Sequence, residues 1–267
     1  MPPPDTRVAP DRAFGDVRFD PVGLECRGLA DGMAPSETAP ISGDRNPTSV
    51  SIPSYLSDTY TWAYLRPASV WFLDRSPVVS AILWGNYRRL LRAVLAELHP
   101  GQRVYQPACV YGDFSRQIAE ALGPLGHLDV ADIVPLQVEN CRRKLSAYGN
   151  ASVQLWNAAK KRRGTYDVVC CFFLLHEMPE PYKRRAVNAL LEAVRPGGKV
   201  VFVDYHRPHW AHPLKWIMNL VYYGLEPFAK DLWFNEIASY GNRSGEFTWT
   251  KQTYFGGLYQ KVVAERR

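Results

Sequence analysis

Residues 103–134 have the sequence RVYQPACVYGDFSRQIAEALGPLGHLDVADIV. Their apolar positions predict a strand over residues 104–107, a helix over 113–122 and a second strand over 128–133. Short buried strands that alternate with helices are typical of a doubly wound, mostly parallel sheet. The stretch therefore predicts an α/β domain.

The alternation continues toward the C-terminus. A continuous apolar run at 167–174 has the pattern of a parallel strand covered on both faces. Pro196-Gly197-Gly198 is predicted to link a helix to the next strand. With residues 104–107 and 128–133, the remaining predicted strands give a seven-stranded sheet: 153–156, 167–174, 199–204, 247–251 and 258–264. The helices predicted between them cover 135–148 and 182–194.

The composition predicts one structured domain with an N-terminal addition. Residues 1–50 hold eight of the 21 prolines and little periodic hydrophobicity, so we expect this segment to be mostly disordered. Residues 51–267 are expected to form the domain. Its predicted parts are N-terminal helices over 55–98, a core over 100–205, an aromatic-rich helical cap inserted at 206–245 and a terminal hairpin over 246–265.

Charge and cysteine content narrow the class of protein. Residues 1–50 carry five Arg against eight acids, whereas the rest carries 27 Lys and Arg against 18 acids. The basic runs at 160–163 and 183–185 lack interleaved aromatics and are interpreted as solvated faces, so nucleic acid is not an expected partner. Five cysteines without a CxxC pair indicate reduced thiols in a cytoplasmic protein. The longest apolar run, 168–175, is too short to span a bilayer.

Three features place a candidate site at the carboxyl ends of the strands, where cofactors bind in such sheets. The first predicted strand is followed by a loop that ends at Gly112 and then by a helix. Asp132 ends the second strand, where an acid can hold ribose hydroxyls, although a helix cap would also explain it. The third feature is the order of the segments Tyr166-Asp167-Val168-Val169, Leu174-Leu175-His176-Glu177 and Arg195-Pro196-Gly197-Gly198.

Over residues 100–205 this combination resembles the class I methyltransferases. The resemblance implies a Rossmann-like fold and S-adenosylmethionine as cofactor. It implies that Asp132 binds ribose, that Ile133 packs on adenine, and that Asn157 and Ala158 lie at the adenine edge, with Phe173 a further cofactor contact. A turn residue is the alternative interpretation of Asn157.

The first loop departs from the family pattern of an acid followed by three alternating glycines. Gln106 replaces the acid, Ala108 and Val110 replace two glycines, and Gly112 remains. We expect the cofactor to be bound differently, with Cys109 and Tyr111 as further contacts in this loop. Without the acid, an α-ammonium is less stabilised, and a neutral amine is a nucleophile. The loop is therefore compatible with chemistry at the amino group of the cofactor.

A narrower resemblance covers residues 55–265. Its segments are Tyr60-Thr61-Trp62-Ala63-Tyr64-Leu65, Leu73-Asp74-Arg75, Leu83-Trp84-Gly85-Asn86-Tyr87 and the loop 105–112. They resemble the rhodoquinone biosynthesis family, which is similar to the ubiquinone and menaquinone methyltransferases. The resemblance implies conversion of ubiquinone to rhodoquinone, with S-adenosylmethionine as amino donor and manganese(II) assisting.

The candidate catalytic residues under this hypothesis are Tyr111, Asp113 and His176. Asp113 opens a helix, so a capping role is the alternative to a proton acceptor. The candidate metal ligands are His176, Glu177 and Asp204, and a hard ion such as Mn²⁺ favours the carboxylates. Glu180 and the histidines at 206, 209 and 212 are further candidates.

Ubiquinone carries an isoprenoid tail, so the expected partner is a membrane surface, and we expect peripheral association with the inner membrane. The aromatic residues of 206–240 suit an interfacial cap, and a fully packed cap is the alternative. Two other functions stay open: an ordinary methyltransferase for a quinone or another apolar molecule, and a non-catalytic protein that binds S-adenosylmethionine. The sequence leaves the oligomeric state open.

Overall fold

The computed structural model describes residues 52–64, 67–162 and 166–267, and for 61–64 the backbone alone. These residues all belong to one compact unit, Asn46–Arg267. The disorder predicted for residues 1–50 therefore lies outside the described residues and stays a prediction.

Four short helices precede the sheet, and the helix starts follow the prolines. Pro67 begins α2, and Pro77 lies in the first turn of α3, where a missing N–H costs nothing. The bounds are α1 Ser54–Tyr64, α2 Pro67–Leu73, α3 Ser76–Ile82 and α4 Tyr87–Leu95.

Seven strands form one sheet in the order β3-β2-β1-β4-β5-β7-β6. Neighbours among β1 to β5 are parallel, whereas β7 is antiparallel to both β5 and β6. The strands are β1 Arg103–Gln106, β2 His127–Asp132, β3 Ala151–Leu155, β4 Tyr166–Phe172, β5 Val194–Tyr205, β6 Phe247–Tyr254 and β7 Tyr259–Arg266. The helices between them are α5 Phe114–Leu122, α6 Pro135–Leu145, α7 Glu180–Ala193 and, in the cap, α8 Lys215–Gly224. The predicted seven-stranded, mostly parallel sheet of the class I methyltransferase fold is confirmed.

One predicted linker is part of a strand. Pro196, Gly197 and Gly198 lie inside β5, and the pairing with β4 shifts register between Tyr166 and Val168. A side chain at Gly198 would lie 2.8 Å from the carbonyl oxygen of Asp167, so glycine allows the two strands to approach at this bulge. The prediction of a loop there was wrong because a bulge carries the same glycine signal.

The core lies on both faces of the sheet, and one charged residue belongs to it. Lys183 of α7 was predicted to be on a solvated face but is fully buried, so that prediction was wrong. Its ammonium group donates to the carbonyl oxygen of Phe228 at 2.5 Å and to Asp231 at 2.7 Å. This pairing compensates the buried charge and ties the cap to α7.

The described helices include none that is both long and apolar enough to cross a membrane. The described cysteines, Cys109, Cys141, Cys170 and Cys171, are all free thiols.

Candidate cofactor and substrate site

A large cavity lies where the strand order reverses, at the carboxyl ends of β1 and β4. The space in the cavity and outside its mouth, open solvent included, is about 1320 Å³. Loops after β1, β2, β3 and β4 form its floor, α1 to α3 form one wall, and Glu226 of the cap closes another side. A cavity at this switch point is where a nucleoside cofactor binds in doubly wound sheets.

The loop after β1 lines this cavity, but the last residue of β1 does not. Ala108, Cys109, Val110 and Tyr111 are on the wall. Gln106, predicted as a cofactor contact, is fully buried, and its side-chain nitrogen donates to the carbonyl oxygen of Ala108 at 2.7 Å. Gln106 therefore braces the loop from behind.

Three side chains hold the far end of the loop. Asp74, at the end of α2, accepts hydrogen bonds from the backbone N–H of Gly112 at 2.9 Å and from Asn140 at 2.9 Å. Lys144 of α6 pairs with Asp74 at 2.7 Å and also donates to the carbonyl oxygens of Val110 and Gly112. Backbone polar groups that the loop leaves open are thus satisfied by an ion pair behind it.

Gly112 itself has a backbone φ of +79°, a conformation that favours glycine. A Cβ atom there would lie 3.3 Å from the Tyr87 hydroxyl. Gly112 does not line the cavity, so its predicted role as a contact becomes a conformational one.

Asp113 is directed toward the N-terminal helices. Its carboxylate accepts a hydrogen bond from the Tyr87 hydroxyl at 2.7 Å and makes no side-chain cap of α5. Asp113 does not line the cavity, so neither the predicted proton-accepting role nor the capping alternative matches this position. The contact instead fixes α4 against the start of α5.

Replacement of Asp74 by Ala should destabilise the protein by about 3–5 kcal/mol, because Lys144 and the Gly112 N–H would lose their partner in a largely buried setting. Chemical denaturation measures this change. Arg243→Ala removes an exposed ion pair with Glu246 and should change the free energy of unfolding little, because exposed pairs contribute little to stability. A loss from Asp74→Ala no larger than that of this control would contradict the role of the ion pair.

Asp132 joins the loops after β1 and β2. Its carboxylate accepts hydrogen bonds from the backbone N–H of Cys109 at 2.8 Å and of Val134 at 2.9 Å. It is buried and faces the cavity together with Ile133. Burial raises the pKa of Asp132 to about 6, although the backbone hydrogen bonds oppose that shift.

Asn157 and Ala158, after β3, also line the cavity. The side-chain oxygen of Asn157 accepts a hydrogen bond from the Ala159 N–H at 2.8 Å, which is a local turn of the kind asparagine favours. Asn157 therefore has the turn role that was the alternative, and it has this role at the cavity wall.

Phe173 lies directly after β4 with a backbone φ of +49°. Its N–H donates to the carbonyl oxygen of Val203, and its ring contacts His176 edge-on, with centroids 5.8 Å apart. A non-glycine residue in this conformation stores backbone strain, which is concentrated at functional sites. The position places the Phe173 ring on the cavity wall.

His176 lies between two carboxylates. Its Nδ1 is 2.9 Å from Asp204 at the end of β5, and its Nε2 is 3.8 Å from Glu226 of the cap. Burial alone would lower the pKa of His176, but Asp204 and Glu226 outweigh burial and raise the pKa to about 9. The imidazole is therefore protonated at neutral pH. The Tyr60 hydroxyl donates to Glu226 at 2.8 Å and anchors the cap carboxylate.

Tyr111 shares the cavity with His176, and its hydroxyl accepts a hydrogen bond from Gln137 of α6 at 2.7 Å. The structure thus brings two of the three predicted catalytic residues, Tyr111 and His176, to the cavity. The third, Asp113, is not among them.

The predicted metal ligands do not form a free donor set. Asp204 already accepts hydrogen bonds from the N–H groups of Leu175 and Tyr205 and from His176. Within the described residues, 52–64, 67–162 and 166–267, no three His, Cys, Asp or Glu side chains are grouped to hold a metal ion. Glu177 lines the cavity, whereas Glu180 pairs with Arg184 on the surface. These residues do not fit a manganese site.

Tyr60 and Asp74 belong to the segments that carry the narrower resemblance, but no sequence pattern gave a role to them or to Lys144 and Glu226. Tyr60 and Glu226 are 166 positions apart, and Lys144 and Asp74 are 70 apart. The available signal for Glu226 was a carboxylate within an aromatic-rich segment.

Residues 108–200 match a family model described as a methyltransferase domain. The ubiquinone/menaquinone biosynthesis C-methyltransferase of Ectopseudomonas mendocina is 28% identical over 172 residues, which cover 61% of this chain and 66% of that protein. The ubiquinone biosynthesis O-methyltransferase of Ralstonia nicotianae is 27% identical over 157 residues, covering 54% and 63%. The chain thus spans somewhat less than two thirds of the length of these relatives.

Solved structures share the fold. An S-adenosylmethionine-dependent methyltransferase from Aquifex aeolicus superimposes with a TM-score of 0.51 at 18% identity, covering 76% of this chain and 99% of that one. A pyocyanin biosynthetic protein superimposes with a TM-score of 0.57 at 15% identity, covering 73% and 61%.

Proposed function

We propose that this chain, a relative of the ubiquinone and menaquinone methyltransferases with the class I methyltransferase fold, is an S-adenosylmethionine-dependent transferase acting on ubiquinone. The proposed reaction replaces a ring methoxy group by an amino group and gives rhodoquinone. The relatives contribute the fold and the quinone class of substrate to this proposal.

The observation that carries the proposal is the charge balance of the loop after β1. The family acid is replaced by Gln106, which is fully buried and does not line the cavity. The carboxylate behind the loop, Asp74, is already paired with Lys144. The loop therefore offers no uncompensated carboxylate to hold an α-ammonium group in its charged form.

When bound, S-adenosylmethionine would supply its α-amino nitrogen to the ring carbon, and the methoxy group would leave with a proton as methanol. The bond between that nitrogen and the cofactor's α-carbon would break afterwards, with loss of a proton from the neighbouring carbon, so that the ring keeps the amino group and the rest of the cofactor is released. Asp132 would accept hydrogen bonds from the ribose, with Ile133 and Ala158 around the adenine. Protonated His176 would donate a hydrogen bond to the quinone carbonyl, whose oxygen gains negative charge during the addition. Asp204 would hold the ring orientation of His176.

Manganese(II) has a limited place in this proposal. The resemblance to the rhodoquinone family implies it, but Asp204 is saturated with hydrogen bonds. No step is therefore assigned to a metal. Activity of the chelator-treated protein with and without added Mn²⁺ tests this part, and strict dependence on Mn²⁺ would contradict it.

Isotope labelling tests the reaction. The protein is incubated with ubiquinone in detergent and with S-adenosylmethionine labelled at nitrogen or at the methyl group, and the lipid extract is analysed by mass spectrometry. Amino transfer predicts a lipid that gains the labelled nitrogen and loses a methoxy group. A lipid that gains the labelled methyl group would overturn amino transfer.

That second outcome would establish the alternative function, a methyltransferase for a quinone or another apolar molecule. The names of the relatives favour it. In that reaction S-adenosylhomocysteine is the co-product. If the protein binds S-adenosylmethionine and forms neither product, the non-catalytic alternative applies.

The proposal includes a membrane surface as partner, and peripheral association with the inner membrane from the cytoplasm. One face of α8 packs inward through Met218 and Tyr222. The other exposes Trp216 by 82%, Leu220 by 73% and Tyr223 by 89%. Lys215 begins the same helix, and aromatic residues beside a cation suit the interface of an anionic bilayer. Leu232 and Trp233, also in the cap, are buried, so the packed-cap alternative applies to that part of the segment.

Flotation with vesicles of phosphatidylcholine and phosphatidylglycerol measures this association. Combined replacement of Trp216, Leu220 and Tyr223 by Ser should lower the bound fraction severalfold while the fold is retained, since all three side chains are exposed. Leu125→Ser, at a residue 90% exposed in the loop before β2, is the matched control. Equal flotation of both variants would overturn the docking proposal.

A further inference from the structure

The cavity has one aliphatic wall, and it is distinct from the polar floor. Leu73 at the end of α2, and Val79, Ile82 and Leu83 in and after α3, line this wall. These four side chains carry no polar atoms. The groups that suit a nucleoside or a quinone carbonyl, Asp132 and His176 among them, belong to the floor instead.

The cavity lining reaches the protein surface at this wall. Of the lining residues in the described part of the chain, Ile82 alone has an exposed side chain, at 51%. Apolar exposure continues outward on both sides of it. Trp71 and Phe72, just before Leu73, are 60% and 54% exposed, and Trp84, just after Leu83, is 40% exposed. Exposed apolar side chains grouped beside a cavity mark a contact site for an apolar partner or ligand.

We infer that this wall and mouth form the subsite for the isoprenoid tail of a lipid quinone, with Ile82 at the exit and Trp71, Phe72 and Trp84 as outer contacts. The inference rests on the proposed function for the choice of a quinone. One cavity has to hold a nucleoside cofactor and a quinone ring together, so a longer tail has to leave it. Aliphatic lining up to the exit keeps the tail out of water along that path.

Photo-crosslinking tests the path directly. The probe is a ubiquinone analogue with a diazirine in its second isoprene unit, bound to the full chain in detergent and analysed by peptide mass spectrometry. We expect labels within residues 71–84 that excess ubiquinone removes. Competable labels confined to the α8 surface would overturn the tail path and leave quinone binding intact. An absence of competable labels anywhere would overturn both the subsite and the proposed substrate.

A blocking variant gives an independent measurement. Ile82→Trp should weaken binding of a ubiquinone with two isoprene units about tenfold, since the loss of about two buried methylene contacts has that size. Its affinity for tailless ubiquinone and for S-adenosylmethionine should change less than twofold. Leu125→Trp, which adds the same group at an exposed residue before β2, should change none of the three affinities. Equal weakening for the tailed and the tailless quinone would overturn the subsite, because Ile82 would then contact the ring and not the tail.

Discussion

Replacement of His176 by Gln should lower turnover of quinone by about 10²- to 10⁴-fold, which is the usual contribution of a positioned proton donor. Gln keeps a hydrogen-bond donor of similar length, but its neutral amide has no acidic proton to transfer to the quinone oxygen. The affinity for S-adenosylmethionine should change less than twofold, since Asp132 and the loop after β1 are untouched. Product formation measured by mass spectrometry checks the first part, and calorimetry with S-adenosylmethionine checks the second.

The control is a second histidine outside the cavity. His127 begins β2 at the amino ends of the strands and contacts Asp129, so His127→Gln should leave turnover within about twofold of the original. Wild-type activity should also fall as pH rises above about 9, where His176 loses its proton, and His176→Gln should abolish that fall. A variant at His176 with full turnover would remove this residue from the chemistry.

Much of the fold was predictable because its signals are local. Each strand of the parallel sheet is a short apolar run, and Pro67, Pro77 and Gly112 mark helix starts or turns by their own backbone limits. Asp132 was predictable for a related reason. It is the last residue of a strand whose carboxyl end the topology places at the cofactor edge of the sheet.

The rest of the site depends on contacts between distant residues. Gly112 and Asp74 are 38 positions apart, and no periodicity connects them. Asp113 has the sequence position of a helix cap, yet the Tyr87 hydroxyl accounts for its carboxylate. Lys183 lies in a basic run that is typical of an exposed face. It is nevertheless buried, because its ammonium group pairs with Asp231 and the Phe228 carbonyl oxygen in the cap. Tertiary partners decide such positions.

Binding of S-adenosylmethionine should weaken about tenfold when the pH falls from 7 to 5, because Asp132 has a pKa of about 6 and its ionised form is the better acceptor for ribose hydroxyls. The sign for stability is opposite. Because the folded protein holds this proton more tightly than the unfolded chain, the contribution of Asp132 to folding stability increases as the pH falls from about 6 toward the ordinary pKa of an aspartate. Weaker binding at pH 5 is then distinct from acid unfolding.

Asp132→Asn separates the two effects. The variant should bind S-adenosylmethionine about 10- to 100-fold more weakly at pH 7, since hydrogen bonds to a charged acceptor are lost. It should also lose the pH dependence between 7 and 5, because the amide does not titrate. Calorimetry at both pH values measures the affinity for S-adenosylmethionine, and thermal unfolding of the ligand-free protein measures its stability. Equal pH dependence in the variant would assign the effect to another group and leave Asp132 as a brace between the Cys109 and Val134 N–H groups.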